Sequence, residues 1–227
     1  MATESGHQPA LIASMRELTE NFVDEADLDQ TLGRVTAAAV ELIDGVDYAD
    51  VLLIDGGRFR SVAPTDAIVS DLDELQMRTE QGPCLEAAED HTAIRSPDLE
   101  QDPRWPAFSS AAVAAGVRSL VSFQLFVQRG PSGALNLLSR SPHAIDSEGE
   151  ALGALLATHA AIAIMAANKH RQYRSAIASR DEIGQAKGIL MKEFSIDAVR
   201  AFELMVRLSQ DSNTPVRVIA RRVIDSL

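Results

Sequence analysis

Apolar residues at Leu11, Ile12, Met15, Leu18 and Phe22 recur at a spacing close to 3.6 and predict an amphipathic helix over Leu11–Val23. A second helix, capped by Asp27, is expected from Leu28 to about Ile43, with Leu32, Val35, Ala39 and Leu42 on one face and Asp44-Gly45 at its end. The period then shortens. Tyr48–Asp55 and Arg58–Pro64 read as two strands joined by Asp55-Gly56-Gly57, a hairpin signal. Ala67–Thr79 is a charged helical stretch, Gly82-Pro83-Cys84 opens a short helix through Ala88, and Ala93–Ser96 is a short strand. Leu99–Phe108 is rich in turn residues, and Ser109–Ala115 is a short helix closed by Gly116. The most apolar strand is Ser119–Gln128; Arg129–Ser132 turns it back into Gly133–Ser139.

From Ser147 one helical pattern continues to about Phe194 without a proline. That length exceeds the usual globular helix and points to an exposed rod or coiled coil. A seam spaced 4,3,4,3 passes through Leu152, Leu156, His159, Ala163, Ala166, His170, Tyr173 and Ile177, and its small and polar members make it a weak coiled coil by itself. Beyond it Ile183, Ala186, Leu190 and Phe194 form one helical face. Ser195 is placed to cap a helix carrying Phe202, Met205 and Leu208. Thr214-Pro215 starts a third helix, proline at the first position, with Val216, Ile219, Ala220 and Val223 facing inward. Adjacent antiparallel strands flanked by helices make the first part α+β, and the last three helices a minimal bundle.

Composition adds limits. The chain has 227 residues, one cysteine and a net charge of −12, which exclude an internal disulfide framework and suit a reducing cytoplasm. No uninterrupted apolar run approaches ~20 residues, so no membrane span is expected. Met1–Pro9 lacks the layout of a signal peptide, and residues 1–10 read as a flexible N-terminus. The charge is uneven: residues 168–227 hold 11 basic against 7 acidic side chains, a net of +4, so the rest carries −16. The large part should repel nucleic acid, while the tail can approach it.

Cys84 has two readings, a thiolate favoured by a helix N-terminus and open to redox sensing, or a buried inert thiol. Trp105, Phe108 and Phe123 either line a pocket or fill the core. Arg104 and Arg118 either hold an anionic ligand or pair with carboxylates. His159 and His170 lack the i,i+4 spacing of a metal pair, and neither a phosphate loop nor a dinucleotide fingerprint is present. Nothing in these residues recommends an enzyme, a metal or a cofactor.

The run Gly82-Pro-Cys-Leu-Glu-Ala87, then Ser96-Pro-Asp-Leu, Asp102-Pro-Arg-Trp-Pro106, Gly116-Val-Arg-Ser119 and Gly133-Ala-Leu-Asn-Leu137, resembles a GAF domain of the version common in actinobacterial regulators. The resemblance covers about Leu11 to Ala167. It implies an antiparallel sheet with helices on one side and a small-molecule pocket on the other, and a role in sensing or dimerising. Cys84, Trp105, Phe108, Arg118 and Phe123 are the candidate pocket residues. The signature of cyclic-nucleotide-binding members is not visible, and a lone cysteine argues against the GAF-like methionine sulfoxide reductases.

The run Gln185-Ala-Lys-Gly-Ile-Leu-Met191, with Ala201-Phe202 and Asn213 through Ala220, resembles the ANTAR domain of bacterial antiterminators over about Ile177 to Ile224. The resemblance implies a three-helix domain, extending a dimeric coiled coil, that binds paired RNA hairpins with six-nucleotide loops. Arg180, Gln185, Lys187, Gly188, Ser209, Asn213, Arg217 and Arg221 are the candidate RNA-binding residues. Gly188 inside a helix costs ~1 kcal/mol relative to alanine, so either RNA or the third helix should approach closely there. Two departures stand out: Pro215 and Val218 occupy positions where many relatives are charged, and Ser195 replaces a frequent glycine. The resulting division is a GAF-like sensor at 11–146, a connecting and dimerisation helix at 147–176 and an ANTAR-like domain at 177–227. The competing readings are a DNA-binding regulator, whose last two helices would act as a helix-turn-helix, and a redox sensor using Cys84.

Overall fold

The computed structural model describes residues 28–55, 58–90, 93–125 and 132–226. The expected helix over Leu11–Val23, its neighbour's cap at Asp27, the tip of the first hairpin and the turn after the fourth strand lie outside these. The chain divides into two compact units, Met1–Ala167 and Asn168–Leu227.

In the first unit α1 (Leu28–Leu42) buries Leu32, Val35, Ala39 and Leu42, as its periodicity demands. β1 (Tyr48–Asp55) and β2 (Arg58–Val62) pair antiparallel, with Val51 opposite Val62. α2 (Ala67–Thr79) is capped by Asp66, whose carboxylate accepts from the Ile68 amide. α3 (Pro83–Asp90), β3 (Ala93–Ser96), α4 (Pro106–Ala114), β4 (Ser119–Gln124) and β5 (Ser132–Ser139) follow. The sheet order is β2-β1-β5-β4-β3, antiparallel throughout. α4 starts three residues earlier than expected because Pro106, with no amide hydrogen to lose, takes the first helical turn.

Alternation along the strands sends side chains to two different layers. Ala49, Val51, Leu53, Val121, Phe123, Leu135 and Leu137 face α1 and the first part of α5 (Ser147–Phe194), whose Leu156, Ala160 and Ile164 are buried there. Tyr48, Leu52, Leu120, Ala134 and Leu138 face α2, α3 and α4. Helices therefore cover both sides of the sheet, and the expected arrangement with an open pocket on one side is corrected: α2–α4 fill that side. The packing also reassigns the long-helix seam. Within this unit Leu156 packs in the core and Ala163 is buried, while Leu155, Ile162 and Met165 are exposed; the later seam members Tyr173 and Ile177 are exposed as well. By length and composition α5 holds a stretch apolar enough to cross a membrane, unlike the sequence expectation. The Leu156–Ile164 part of it lies against the sheet.

In the second unit the C-terminal part of α5 packs with α6 (Ala198–Asp211) and α7 (Val216–Asp225). Their core is small: Ala186, Leu190, Ala201, Met205, Ile219 and Ala220 are buried, with Ile183, Val216 and Val223 against them. Phe194, Phe202 and Leu208, expected inside, are 60%, 42% and 44% exposed. The α6 cap is Asp197, whose carboxylate accepts from the Arg200 amide at 2.8 Å, and not Ser195. Ser195 instead takes a left-handed conformation, φ 54°, to end α5. Glycine is at home there and serine is not. Ser195→Gly is therefore expected to stabilise this unit by about 0.5–1 kcal/mol, read as a later transition in hydrogen exchange of α6 amides. α7 begins at Val216, so Pro215 is the residue before its first turn rather than inside it.

Candidate nucleic-acid interface and sensor cavity

At 100° per residue, Arg180, Gly184, Lys187, Gly188 and Met191 fall within an arc of about 100° around α5. Arg180, Gly184, Gly188 and Met191 are exposed and Lys187 is half-buried beside the core. A methyl group built on Gly184 or Gly188 would meet no atom within 4 Å. Close approach by the third helix is thus removed as a reason for Gly188, and the two glycines leave bare backbone between two cations. Gln185 is exposed but lies about 160° around the axis from Lys187.

The other candidates sit elsewhere on the unit. Arg221 ion-pairs with Glu182 at 2.8 Å, and the Arg217 guanidinium reaches the Ser175 hydroxyl at 3.5 Å. Ser175 and Glu182 lie roughly 120–160° around α5 from Arg180 and Lys187. The arginine pair of α7 therefore belongs to a second face, partly neutralised by a carboxylate. Ser209 is half-buried, and its hydroxyl donates to the Thr214 carbonyl at 2.6 Å. Asn213 adopts φ 47° in the same turn, a conformation asparagine tolerates. These two residues shape the α6–α7 turn: the Ser209 hydroxyl is committed to it, while the Asn213 side chain is exposed. Tyr173 and Ile177, at 59% and 63% exposure, continue the Arg180–Met191 side of the helix as an apolar line.

In the first unit the residues expected to line a pocket separate. Cys84 and Phe108 border a cavity of about 10 Å³ between the sheet and α2–α4. Trp105 lies near it but is used structurally: its indole N–H donates to Glu86 at 3.1 Å, and the Arg104 guanidinium stacks 4.1 Å above the ring. Arg104 also bonds Asp102, whose carboxyl is held down to about 2 by that guanidinium. Arg118 pairs with Asp98 and Glu100, at 3.1 and 2.8 Å. Phe123 is on the opposite face of the sheet, in a groove of about 810 Å³ shared with Arg95, Glu150, Ala154 and Ile162.

What sequence reading missed is the polar floor of the cavity. Asp50, Asn136 and Ser122 are register partners on three adjacent strands, all buried and all on the α2 side. Asn136 donates to Asp50 at 2.9 Å, Ser122 donates to Asn136 at 2.6 Å, and the Ser61 hydroxyl donates to Asp50 at 3.3 Å. From above, α2 lowers Asp73 and Gln76 towards this row. The Gln76 amide donates to Asp73 Oδ1 at 3.3 Å and to Cys84 Sγ at 2.9 Å, while its carbonyl accepts from the Cys84 amide at 3.1 Å. Gly82 is required by this arrangement, since a β-carbon there would lie 2.0 Å from the Gln76 side chain.

Asp73 Oδ2 is buried and receives no hydrogen bond from a donor group. Burial pushes the Asp50 carboxyl well above the ordinary carboxylate range, and Asp73 beside it pushes further. Burial raises Asp73 as well, against the hydrogen bonds it accepts. With burial raising both carboxyls and Asp73 raising Asp50 further, ionising the two together is disfavoured. Burial, then Asp73 and Asp50, likewise push the Cys84 thiol well up. Of the two readings of Cys84, burial supports the inert thiol, since it disfavours the thiolate that would be the nucleophile. The signal for the dyad was available, because Asp50 interrupts an apolar strand on the Tyr48–Leu52 side and Asp73 shares a helical face with Val69, Leu72 and Gln76.

A GAF domain model matches residues 25–165 and an ANTAR domain model matches residues 171–224. No curated protein matches the chain. Among solved structures it is similar to an N-acylhomoserine lactone-dependent LuxR family transcription factor from Burkholderia cenocepacia, at 16% identity over 69% of this chain and 96% of that one, with a TM-score of 0.56. It is similar to the GAF domain of a phosphoenolpyruvate-protein phosphotransferase from Coxiella burnetii, at 18% identity over 76% and 99%, TM-score 0.53. A free methionine-R-sulfoxide reductase from Neisseria meningitidis, in complex with its substrate, aligns at 16% identity over 75% and 97%, TM-score 0.52. At such identities these likenesses establish the fold.

Proposed function

Since this chain belongs to the GAF domain family and ends in an ANTAR domain, we propose that it is a signal-responsive regulator, without catalysis of its own, that binds paired hairpins in nascent transcripts and so prevents termination. GAF domains are sensory and ANTAR domains bind RNA in antitermination. The observation that carries the reading is the Arg180–Met191 face of α5, inside the ANTAR match. It offers bare glycine backbone flanked by two cations, which suits phosphates and unstacked loop bases.

Two hairpins call for two tails, so the working form is a homodimer in the cytoplasm. The exposed line of Tyr173 and Ile177 supports the long helix as its seam. The helix that buries Leu156 and Ile164 in the sensor also buries Ala186 and Leu190 in the tail. A shift of the sensor core would reach the RNA-binding face through that one element.

The test is competition between a two-hairpin RNA with six-nucleotide loops and duplex DNA of equal length at matched salt. The expected outcome is retention of the RNA at least tenfold more tightly. Equal or tighter binding of the duplex would overturn the RNA reading in favour of a helix-turn-helix regulator.

A further inference from the structure

Among the described residues the Asp50–Asp73 dyad is a buried acidic pair without a basic partner. The residues around it are Gln76 of α2, Cys84 of α3, Phe108 of α4 and Asn136 of β5, with Ser61 of β2 donating to Asp50. Among these groups only the two acids and the thiol titrate. A buried pair of this kind is costly relative to apolar side chains of the same volume, yet it forms the floor of the cavity under the helices of the sensor. One oxygen, Asp73 Oδ2, lacks a donor.

A space of about 10 Å³ holds one water-sized group. A proton satisfies the dyad with one O–H bond. An ammonium group satisfies it better, with three or more N–H donors for Asp73 Oδ2, the Asp50 carboxylate and Cys84 Sγ. Divalent cations such as Ca²⁺ and Mg²⁺ take six or more oxygens, whereas Asp50 and Asp73 Oδ1 already accept hydrogen bonds here. Among the described residues no group of three or more His, Cys, Asp or Glu side chains is arranged to hold a metal ion. The rest of the wall, Val69, Leu72, Phe108, Leu120 and Leu138, is apolar, and a space of one water-sized group leaves no room for carbon attached to the nitrogen.

We propose that the Asp50–Asp73–Cys84 cavity is the ligand site of the sensor and takes the free ammonium ion. The proposal rests on the sensory reading of the GAF unit. Entry is an exchange: ammonium arrives as NH₄⁺, the carboxyl O–H bond breaks, its proton leaves to solvent, and the net charge of the cavity is unchanged. Exchange of this kind makes binding tighter as pH rises, by about tenfold per unit while the dyad still holds its proton. Without ammonium the sign is opposite. A carboxyl raised on folding contributes stability at low pH and loses it as pH rises through its folded value, so the unliganded sensor should weaken on the alkaline side.

The experiment uses the full-length protein, with calorimetric titration of ammonium and methylammonium chloride from pH 6 to 9 against sodium and choline chloride at equal ionic strength. Trp105, the single tryptophan, sits in the same core and reports the same event by fluorescence. Saturable binding of ammonium, tightening with pH and releasing one proton per cation in buffers of different ionisation enthalpy, with methylammonium at least tenfold weaker, is the expected result. Asp73→Asn and, as a second isosteric variant, Asp50→Asn should each abolish proton release and weaken binding at least tenfold. Equal response to sodium, binding without proton release, retention in both variants, or a pH-dependent melt untouched by ammonium would each overturn the site. Hairpin RNA binding followed in the same samples separates the two claims. Ammonium binding that leaves RNA affinity unchanged would sink the sensory coupling and not the site, whereas intact RNA binding with no ammonium response would sink the site alone.

Discussion

Met205→Ala is expected to unfold the C-terminal unit while leaving the sheet intact. Met205 is fully buried, and three of the other five core members, Ala186, Ala201 and Ala220, are alanines. Leu190, Met205 and Ile219 therefore supply most of the apolar volume. Truncating a buried methionine costs about 2–5 kcal/mol through lost transfer energy and the cavity left behind. A unit of this size has only a few kcal/mol to lose. In hydrogen exchange the amides of α6 and α7 should reach near-unprotected rates, while those of β1 and β5, paired from Tyr48 with Leu138 to Ile54 with Ser132, stay protected. RNA binding should disappear with the protection although Met205 cannot touch a ligand. Glu203→Ala, two residues away and exposed, should change stability by less than about 0.5 kcal/mol. Retained protection in Met205→Ala would show that the tail is held by something other than its own core.

The same core shows what could be read from sequence. Ile183, Ala186 and Leu190 fall on one face and are inside, but the next member of the series, Phe194, is at the last turn, where the chain leaves for α6 and no neighbour remains to cover it. On α6, the 3.6 period passes through Ala201 and Met205 or through Phe202 and Val206 nearly equally well. Periodicity names a face but not the one that is buried, and the larger phenylalanine drew the assignment wrongly. In the long helix the ambiguity had a different source. Leu156 satisfies a coiled-coil spacing and a sheet-packing spacing at once, and only the sheet beneath it decides. The strands were legible in number and order, with starts within one residue, because alternation and turn residues are local, although β2 and β4 end two and four residues before the expected Pro64 and Gln128. The acidic dyad was not recognised as a pair, since Asp50 and Asp73 meet only when α2 folds over β1. The GAF motif runs, by contrast, carried their physics in view: Gly82 clears space for Gln76, and Gln76 then holds Cys84.

Charge reversal should split the candidate RNA-binding residues into two unequal groups. Arg180→Glu with Lys187→Glu is expected to lower affinity for the two-hairpin RNA about a hundredfold or more and to reduce the slope of log affinity against log salt by about one or two, since each cation displaced from phosphate contributes roughly one unit or a little less. Arg217→Glu with Arg221→Glu should cost less, about tenfold. Arg221 already faces Glu182 at 2.8 Å, and Arg217 faces Ser175, on the side of α5 away from the glycines. The ion pair is exposed on its Arg221 side and contributes little to stability, so its loss should not confuse the comparison. Both double variants should therefore melt close to the unaltered chain, and the contrast is read in binding alone. If the α7 pair proves as costly as the α5 pair, the two faces act as one surface, which within a homodimer would mean that RNA bridges α5 of one protomer and α7 of its partner. If neither pair matters, the glycine-floored face of α5 is not where nucleic acid binds, and the same bare backbone must serve the close crossing of two long helices instead.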